Sequence, residues 1–252
     1  MKNPFREHLR LFGLRHLPPS IMRWQISSRN RRRGEPELGL LPSLVSKNKS
    51  SVDIGAYLGA YTEVLLNISS NVYVFEPQSV CNTFLQKAYG SSINLYKDAL
   101  SDYDGTGYLS TGGKKLSQGA KILPSSSEYD LDEKVSVRRL DSFHLRNVGF
   151  VKIDAEGNEL AILKGALATL KREKPVLLVE IEQRHSTLPI RDTFNWLEAL
   201  GYKGQFFYEG ALKGLEHFSV DSMQTGSLQR NTDTPYVNNF IFSMDNPENQ
   251  EH

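Results

Sequence analysis

Short apolar runs alternate with segments of helical periodicity from residue 51 to residue 208, and this alternation constrains the fold most strongly. The apolar runs, which we interpret as strands, are 51–54, 72–76, 93–100, 150–154, 175–182 and 201–208. Segments with apolar residues three or four positions apart, as in amphipathic helices, are 59–68, 78–89, 157–171 and 190–200. Strands that alternate with helices form a parallel sheet covered by helices. The sequence therefore predicts a doubly wound α/β fold.

Two long polar segments interrupt this alternation. The first, 102–140, is rich in Gly and Ser and contains two candidate strands, 108–110 and 135–140. The second, 209–235, precedes a last apolar run at 235–243. Loops of this length inside a compact domain often carry function. We therefore expect two covering segments on the acceptor side of the site, the Gly/Ser loop at 111–130 and the segment 209–235.

The cysteine content and the apolar runs exclude several classes of protein. Cys81 is the only cysteine, so the chain cannot form an internal disulfide, which fits a reducing compartment. No run of about 18 apolar residues is present, and the N-terminus lacks the apolar core of a signal peptide. These features predict a cytoplasmic protein without a membrane-spanning helix, and they indicate no particular oligomeric state.

The N-terminal arm, residues 1–33, is strongly basic. It holds nine Lys or Arg and one acidic residue, Glu7, so the other positions hold 21 basic and 28 acidic residues. Such an arm can contact a membrane surface or nucleic acid, or it can pack on the acidic remainder of the chain. We favour packing because the arm carries apolar residues at Leu9, Leu11, Leu14, Ile21, Met22 and Trp24.

The segment SVDIGAYLGAYT (51–62) joins the first strand to the first helix of the alternation. Ligands of doubly wound sheets bind at the carboxyl ends of the strands, where such a turn lies. Gly55 can adopt a positive φ and permits a ligand to approach closely, and Gly59 allows the helix to pack near the strand. Asp53 can accept hydrogen bonds or pair with a cation.

The spacing within this turn argues against a phosphate-bearing cofactor. A dinucleotide-binding turn reads GxGxxG, but Tyr57 stands where its middle glycine would be, and the chain has no GxxxxGK[ST] phosphate loop. The remaining pattern, D-x-G-x-x-x-G, suits S-adenosylmethionine, whose ammonium and sulfonium groups complement an acid. Glu76 ends the second strand, where a carboxylate binds ribose hydroxyls, and Asp98 could reach an adenine amine.

Six segments, in this order, resemble the FkbM family of S-adenosylmethionine-dependent methyltransferases. They are DIGAYLGAYT (53–62), VFEP (74–77), DALSDYDGTG (98–107), RRLDSF (138–143), KIDAEGNELAILKGA (152–166) and VEIE (179–182). The resemblance covers residues 34–243, and the KID-x-EG-x-E block is its most specific part. Members of the family are mostly O-methyltransferases that act on sugar or polyketide hydroxyls.

This resemblance implies a class I methyltransferase, Rossmann-like fold. Its central, mostly parallel sheet would have seven strands, with helices on both faces and the last strand antiparallel. The predicted domains are a basic N-terminal helical extension (1–45), a methyltransferase domain (46–245) and a polar C-terminal tail (246–252). The expected cofactor-binding residues are Asp53, Gly55, Tyr57, Gly59, Thr62, Glu76, Asp98 and Ala99. Most family members have Asn at the position of Tyr57. We therefore expect this chain to lack a contact from an Asn side chain to the methionine part of the cofactor.

Methyl transfer to a hydroxyl oxygen needs an aligned acceptor and a group that removes its proton. Asp154 ends the fourth strand, Glu156 follows it, and Glu180 lies on the fifth strand. We predict that Asp154 acts as the base or substrate anchor, with Glu156 and Glu180 in support. The same carboxylates suit Mg²⁺, which we keep as an alternative cofactor, and no Cys/His cluster indicates zinc. His185 is predicted to be a surface loop residue.

The predicted function is therefore S-adenosylmethionine-dependent O-methylation of a sugar, glycan or related small molecule. One alternative is an RNA 2′-O-methyltransferase, which the basic arm would suit. Such enzymes use a Lys-Asp-Lys-Glu set that Lys152, Asp154, Lys164 and Glu180 match only loosely, so nucleic acid is the less favoured acceptor. Another alternative is a catalytically inactive module that binds the cofactor.

Overall fold

The central sheet contains eight strands. The structure is a computed structural model that describes residues 17–33, 35–112, 114, 116–117, 119–123, 132–186, 188–225 and 235–244. Its strands are β1 (Ser50–Ile54), β2 (Asn71–Phe75), β3 (Asn94–Tyr96), β4 (Ala99–Leu100), β5 (Gly105–Ser110), β6 (Lys121–Leu123), β7 (Glu133–Arg138), β8 (Val148–Ile153), β9 (Val176–Glu180), β10 (Lys203–Tyr208), β11 (Ala211–Gly214) and β12 (Asn239–Ser243). Its α-helices are α1 (Pro19–Arg33), α2 (Leu41–Leu44), α3 (Ala60–Leu65), α4 (Ser79–Tyr89), α5 (Glu159–Gly165), α6 (Leu167–Glu173) and α7 (Ile190–Ala199).

The strand order of the large sheet is β11-β10-β12-β9-β8-β1-β2-β3. Neighbouring strands from β3 to β9 in this order are parallel, whereas β12 is antiparallel to both β9 and β10. The prediction of a mostly parallel sheet with an antiparallel last strand is confirmed. The chain runs outward from β1 to β3 and later resumes beside β1 as β8, and this reversal opens a crevice at the carboxyl ends of the strands.

The eighth strand is β11, which the sequence did not indicate. Glu209 and Gly210 both have positive φ, 51° and 83°, which makes a tight turn between β10 and β11. The two strands then pair antiparallel at the edge of the sheet. The sequence predicts a polar insertion here, since β11 has no buried residues and therefore no apolar pattern.

Helices cover both faces of the sheet, as predicted. Successive strand residues point to opposite faces, so Phe150 packs against the layer of α1 to α4 while its neighbour Val151 packs against the layer of α5 to α7. Leu178 and Leu177 divide between the two layers in the same way. Burial on both faces explains why these strands read as continuous apolar runs.

Three strands of the first polar segment join β4 in a second, four-stranded sheet of order β4-β7-β5-β6. The two strands predicted inside this segment are present and pair antiparallel as β5 and β7. The run 93–100, predicted as one strand, divides into β3 in the large sheet and β4 in the small one. Residues 113, 115, 118, 124–130 and 226–234 of the two expected covering segments lie outside the described residues.

Helix α1 of the basic arm packs against α3 and α4. Arg23 pairs with Glu63 at 2.9 Å, and the Asn30 side-chain amide donates to the carbonyl of Ala60 at 2.8 Å. Met22 is fully buried, whereas Trp24 is 60% exposed, so only part of the expected apolar set packs. Leu9, Leu11 and Leu14 lie outside the described residues. Within the part of the chain that the structure describes, no helix is long and apolar enough to cross a membrane.

Candidate functional site

A cleft of about 290 Å³ opens at the carboxyl ends of β1, β2, β8 and β9. The sequence-predicted residues that line it are Gly55, Tyr57, Glu76, Asp98, Ala99, Asp154, Glu156 and Glu180. The small sheet adds an apolar wall that includes Leu109 and Ile122. The topology therefore brings both the predicted catalytic carboxylates and most of the predicted cofactor-binding residues into one cleft.

Gly55 permits a close approach between two loops at the base of the cleft. Its φ is +77°, and a Cβ at this position would lie 1.8 Å from the carbonyl oxygen of Asp154. Gly59, at φ +82°, precedes α3, and a Cβ there would meet the Tyr89 hydroxyl at 2.8 Å. Gly59 does not line the cleft, so its role in this structure is to let α3 pack closely.

Replacing Gly55 with Ala is expected to lower the free energy of unfolding by about 3 kcal/mol, because backbone strain and a steric clash add together. Gly210→Ala is the matched control, since Gly210 has a similar φ of +83° with open space around it. The free energy of unfolding of this control should fall by about 1 kcal/mol. Urea unfolding of both variants measures the difference, and equal losses would contradict the close contact with Asp154.

Asp53 and Thr62 do not line the cleft. The Asp53 carboxylate is 1% exposed and accepts a hydrogen bond from the Thr62 hydroxyl at 2.5 Å, and its burial raises its pKa. Asp53 lines an adjoining cavity of about 130 Å³ between the glycine turn and α1. This smaller cavity shares Gly55, Tyr57 and Asp154 with the main cleft.

Glu76 is fixed at the end of β2 by two backbone donors. Its carboxylate accepts hydrogen bonds from the amide of Tyr57 at 2.7 Å and the amide of Gln78 at 2.8 Å. The residue is only 2% exposed, and burial raises its pKa to about 7. Glu76 therefore ties the glycine turn to the start of α4 and presents a preoriented carboxylate to the cleft.

Asp154 forms an ion pair with Lys152, whose ammonium lies 3.0 Å away. Lys152 is 2% exposed and lies 4.8 Å from the centre of the Tyr61 ring. Burial opposes the charge on Lys152, but Asp154, Glu180 and Asp53 outweigh burial and raise its pKa. Lys152 therefore remains charged, and its ion pair holds Asp154 at the carboxyl end of β8.

Glu156 and Glu180 stand on either side of Asp154. Glu156 has a positive φ of 53°, and its carboxylate lies 2.5 Å from Nδ1 of His185. His185 is 21% exposed at its side chain and is therefore a partner of Glu156 and not the surface histidine that the sequence predicts. Glu180 accepts a hydrogen bond from the Asn238 side chain at 2.7 Å. Burial and the Asp154 carboxylate raise the pKa of Glu180 to about 9.

The stability of the protein is expected to depend on the ionisation of Glu156. Burial, followed by the Asp154 and Glu182 carboxylates, raises its pKa from 4.5 to about 7. A raised folded-state pKa contributes stability that is full below pH 4.5 and is lost as the pH rises to about 7. Wild type should therefore lose thermal stability relative to Glu156→Gln between pH 5 and pH 8. Melting curves of both proteins test this, and a constant difference would contradict it.

Sequence reasoning missed several residues that complete the cleft. Glu35 comes from the segment after α1 and lines both cavities. The Gln78 side chain exchanges two hydrogen bonds with the backbone of Ser117 and so holds the small sheet over the cleft. Glu182 pairs with Arg184. The arginine-rich arm is visible in the sequence, but no local pattern indicates that Glu35, directly after the arm, reaches the sheet.

Two alternatives from the sequence find no support in the geometry. Lys164 is exposed on α5 and does not line the cleft, so the Lys-Asp-Lys-Glu set is not assembled. The described residues contain no group of three or more His, Cys, Asp or Glu side chains placed to hold a metal ion. The Mg²⁺ alternative therefore has no ligand set in that part of the chain.

A family model described as "Methyltransferase FkbM domain" matches residues 53–203. The solved structure of an FkbM methyltransferase from Methylobacillus flagellatus KT is 17% identical, with a TM-score of 0.51, over 80% of this chain and 47% of that chain. This chain therefore spans about half the length of that protein. No curated protein sequence matches.

Two other solved structures have lower TM-scores. An rRNA methylase from Streptococcus thermophilus is 10% identical, with a TM-score of 0.45, over 83% of this chain and 95% of that chain. A precorrin-6y C5,15-methyltransferase from Geobacter metallireducens GS-15 is 12% identical, with a TM-score of 0.40, over 84% and 90%.

Proposed function

Because the chain belongs to the FkbM methyltransferase family, we propose that it methylates a hydroxyl oxygen of a sugar, a glycan or a related small molecule, with S-adenosylmethionine as the donor. The observation that carries this proposal is the single cleft in which Gly55 and Glu76 face Asp154. In this proposal, Gly55 and Glu76 form the nucleoside-binding edge, and Asp154 is the neighbouring carboxylate that takes a proton.

The chemistry of the cleft fits S-adenosylmethionine better than a phosphate-bearing cofactor. Among the described residues that line it, most of the charged groups are carboxylates, and the one cation, Arg184, is paired with Glu182 at 2.5 Å. A pyrophosphate would be repelled there, whereas sulfonium and ammonium groups would be attracted. When bound, the cofactor supplies an electrophilic methyl group. Glu76 would hold its ribose and Asp98 its adenine.

Asp154 is the proton acceptor in this proposal. Its ion pair with Lys152 keeps the carboxylate oriented at the cleft, and such a base aligned on an acceptor hydroxyl contributes substantially to the rate. Glu156 and Glu180 hydrogen-bond to neighbouring hydroxyls of the acceptor. Glu180, whose pKa is raised, is protonated and donates a hydrogen bond to the acceptor, whereas ionised Glu156 accepts one.

The charge of the cleft favours a neutral, hydroxyl-rich acceptor over RNA. Nucleic-acid sites neutralise backbone phosphates with Lys and Arg, whereas the rim here carries Glu35, Glu156 and Glu182. A polyol instead offers several hydroxyl donors that carboxylates can accept. The acid-lined rim therefore supports the carbohydrate proposal and opposes the RNA alternative.

Incubation with methyl-labelled donor and a panel of glycans, lipopolysaccharide fragments and RNAs tests the proposal. We expect label in a carbohydrate fraction, resistant to mild base as an ether should be. Label in RNA would reverse the choice of acceptor. Calorimetric binding of S-adenosylhomocysteine without transfer to any acceptor would favour the inactive binding module.

A further inference from the structure

Glu35 belongs to the segment that joins the N-terminal helix to the sheet, yet it lines both the main cleft and the adjoining cavity. Its carboxylate accepts hydrogen bonds from the Tyr61 hydroxyl and, at 3.4 Å, from the Asn239 side chain. Tyr61 and Asn239 are 7% and 2% exposed. Two buried side chains of the sheet domain therefore fix an exposed carboxylate at the junction of the two cavities.

We propose that Glu35 binds the α-ammonium group of the methionine part of the cofactor, so that the N-terminal segment completes the cofactor site. This inference rests on the proposed function. It assigns a binding role to a residue outside the span that matches the family model, which begins at residue 53.

The order of the strands sets the direction of the cofactor. Asp98, Glu76, Gly55 and Asp154 follow β3, β2, β1 and β8, which are consecutive neighbours in the sheet. With adenine at Asp98 and ribose at Glu76, the amino-acid end extends past Gly55. That is where the two cavities share Gly55, Tyr57 and Asp154.

The other carboxylates at this junction already have strong partners. Asp53 is 1% exposed and hydrogen-bonded to Thr62. Asp154 is ion-paired with Lys152 at 3.0 Å. Among the described side chains, Glu35 has no cation within ion-pair distance, and both of its hydrogen-bond donors are neutral. Lys152 lines the same cavity and interacts with the Glu35 charge, but its ammonium is ion-paired with Asp154. An ammonium group of the ligand would give Glu35 the close cationic partner that it lacks.

Tyr61 and Asn239 also explain why Glu35 can bind a ligand in a fixed geometry although it lies outside the sheet domain. Tyr61 lies in α3, directly after the glycine turn, and Asn239 begins β12. Both elements are fixed by the core, so the Glu35 carboxylate is positioned before the ligand arrives. Preorganisation of this kind reduces the entropy that binding must overcome.

Calorimetry with two ligands tests this inference in the full chain. S-adenosylhomocysteine carries the ammonium group, whereas 5′-methylthioadenosine lacks the amino-acid part. Glu35→Gln should weaken S-adenosylhomocysteine binding about five- to tenfold, because an amide replaces the charge at a partly exposed site. The affinity for 5′-methylthioadenosine should stay unchanged, since Gln can keep the contacts to Tyr61 and Asn239.

Glu63→Gln is the matched control, because it removes the ion pair between Arg23 and Glu63 without touching Glu35. It should leave both affinities unchanged. Equal affinity of wild type and Glu35→Gln for S-adenosylhomocysteine would overturn the inference, as would an equal loss for both ligands. A wild-type protein that binds neither ligand would instead refute the proposed function on which the inference rests.

Discussion

Replacing Glu76 with Gln is expected to weaken the binding of S-adenosylhomocysteine about 100-fold, because two charge-assisted hydrogen bonds to the ribose hydroxyls are lost. The carboxylate is already held by the amides of Tyr57 and Gln78, so it is oriented before binding. A Gln side chain would also turn its NH₂ group toward one of these amides and loosen the glycine turn. Calorimetry at pH 8, above the pKa of about 7, measures the affinity of the ionised form.

Glu133→Gln separates this effect from a general loosening of the loop. Glu133 holds the same region, since its carboxylate accepts hydrogen bonds from the amide and hydroxyl of Ser79 at the start of α4. It does not line the cleft. The control should bind the ligand as wild type does. A similar loss in both variants, or none in Glu76→Gln, would contradict the ribose contact.

The alternation of strands and helices was sufficient to predict the large sheet, because strands buried on both faces have a clear apolar signature. β9, for example, reads VLLVE and is buried along most of its length. The apolar pattern did not predict an exposed edge strand or a break within a helix. β11 has no buried residue, and the helix predicted at 157–171 breaks after Gly165, whose missing Cβ admits the Ser101 carbonyl.

Three acidic residues of the site were predictable because each follows a parallel strand of the large sheet and therefore lies at the same edge of that sheet. Glu76, Asp98 and Asp154 could be assigned in this way from the sequence alone. Glu35 and His185 could not, because their positions depend on contacts between distant segments. Gly157 has no Cβ, so the backbone carbonyl of His185 can approach Gly157 closely. This close approach lets the His185 side chain reach Glu156.

Contacts between distant segments also separate two aspartates that the sequence alone makes similar, Asp53 and Asp154. Asp53 and Asp154 both sit near the ends of adjacent parallel strands, yet Asp53 is hydrogen-bonded to Thr62 and turned into the smaller cavity. Asp154 lines both cavities and is 32% exposed at its side chain. Sequence position alone makes them equivalent, whereas access to the cleft is the reason why we propose Asp154, and not Asp53, as the proton acceptor.

Asp154→Asn should lower kcat for the acceptor identified in the labelling panel by about 10²- to 10⁴-fold, because a carboxamide cannot take the hydroxyl proton. The affinity for S-adenosylhomocysteine should change little, because the ribose and ammonium contacts are elsewhere. The substitution also removes the ion-pair partner of the buried Lys152, so a loss of stability is expected as well.

Asp141→Asn controls for that loss of stability. The Asp141 carboxylate accepts hydrogen bonds from the amides of Ala168 and Thr169 at 2.8 Å, so its replacement weakens the start of α6 away from the cleft. This variant should melt at a lower temperature and keep the kcat of wild type. If Asp154→Asn also kept that kcat, Asp154 would not be the base. If it lost donor binding along with turnover, Asp154 would be a ligand of the donor, and the proton acceptor would have to be sought at Glu156.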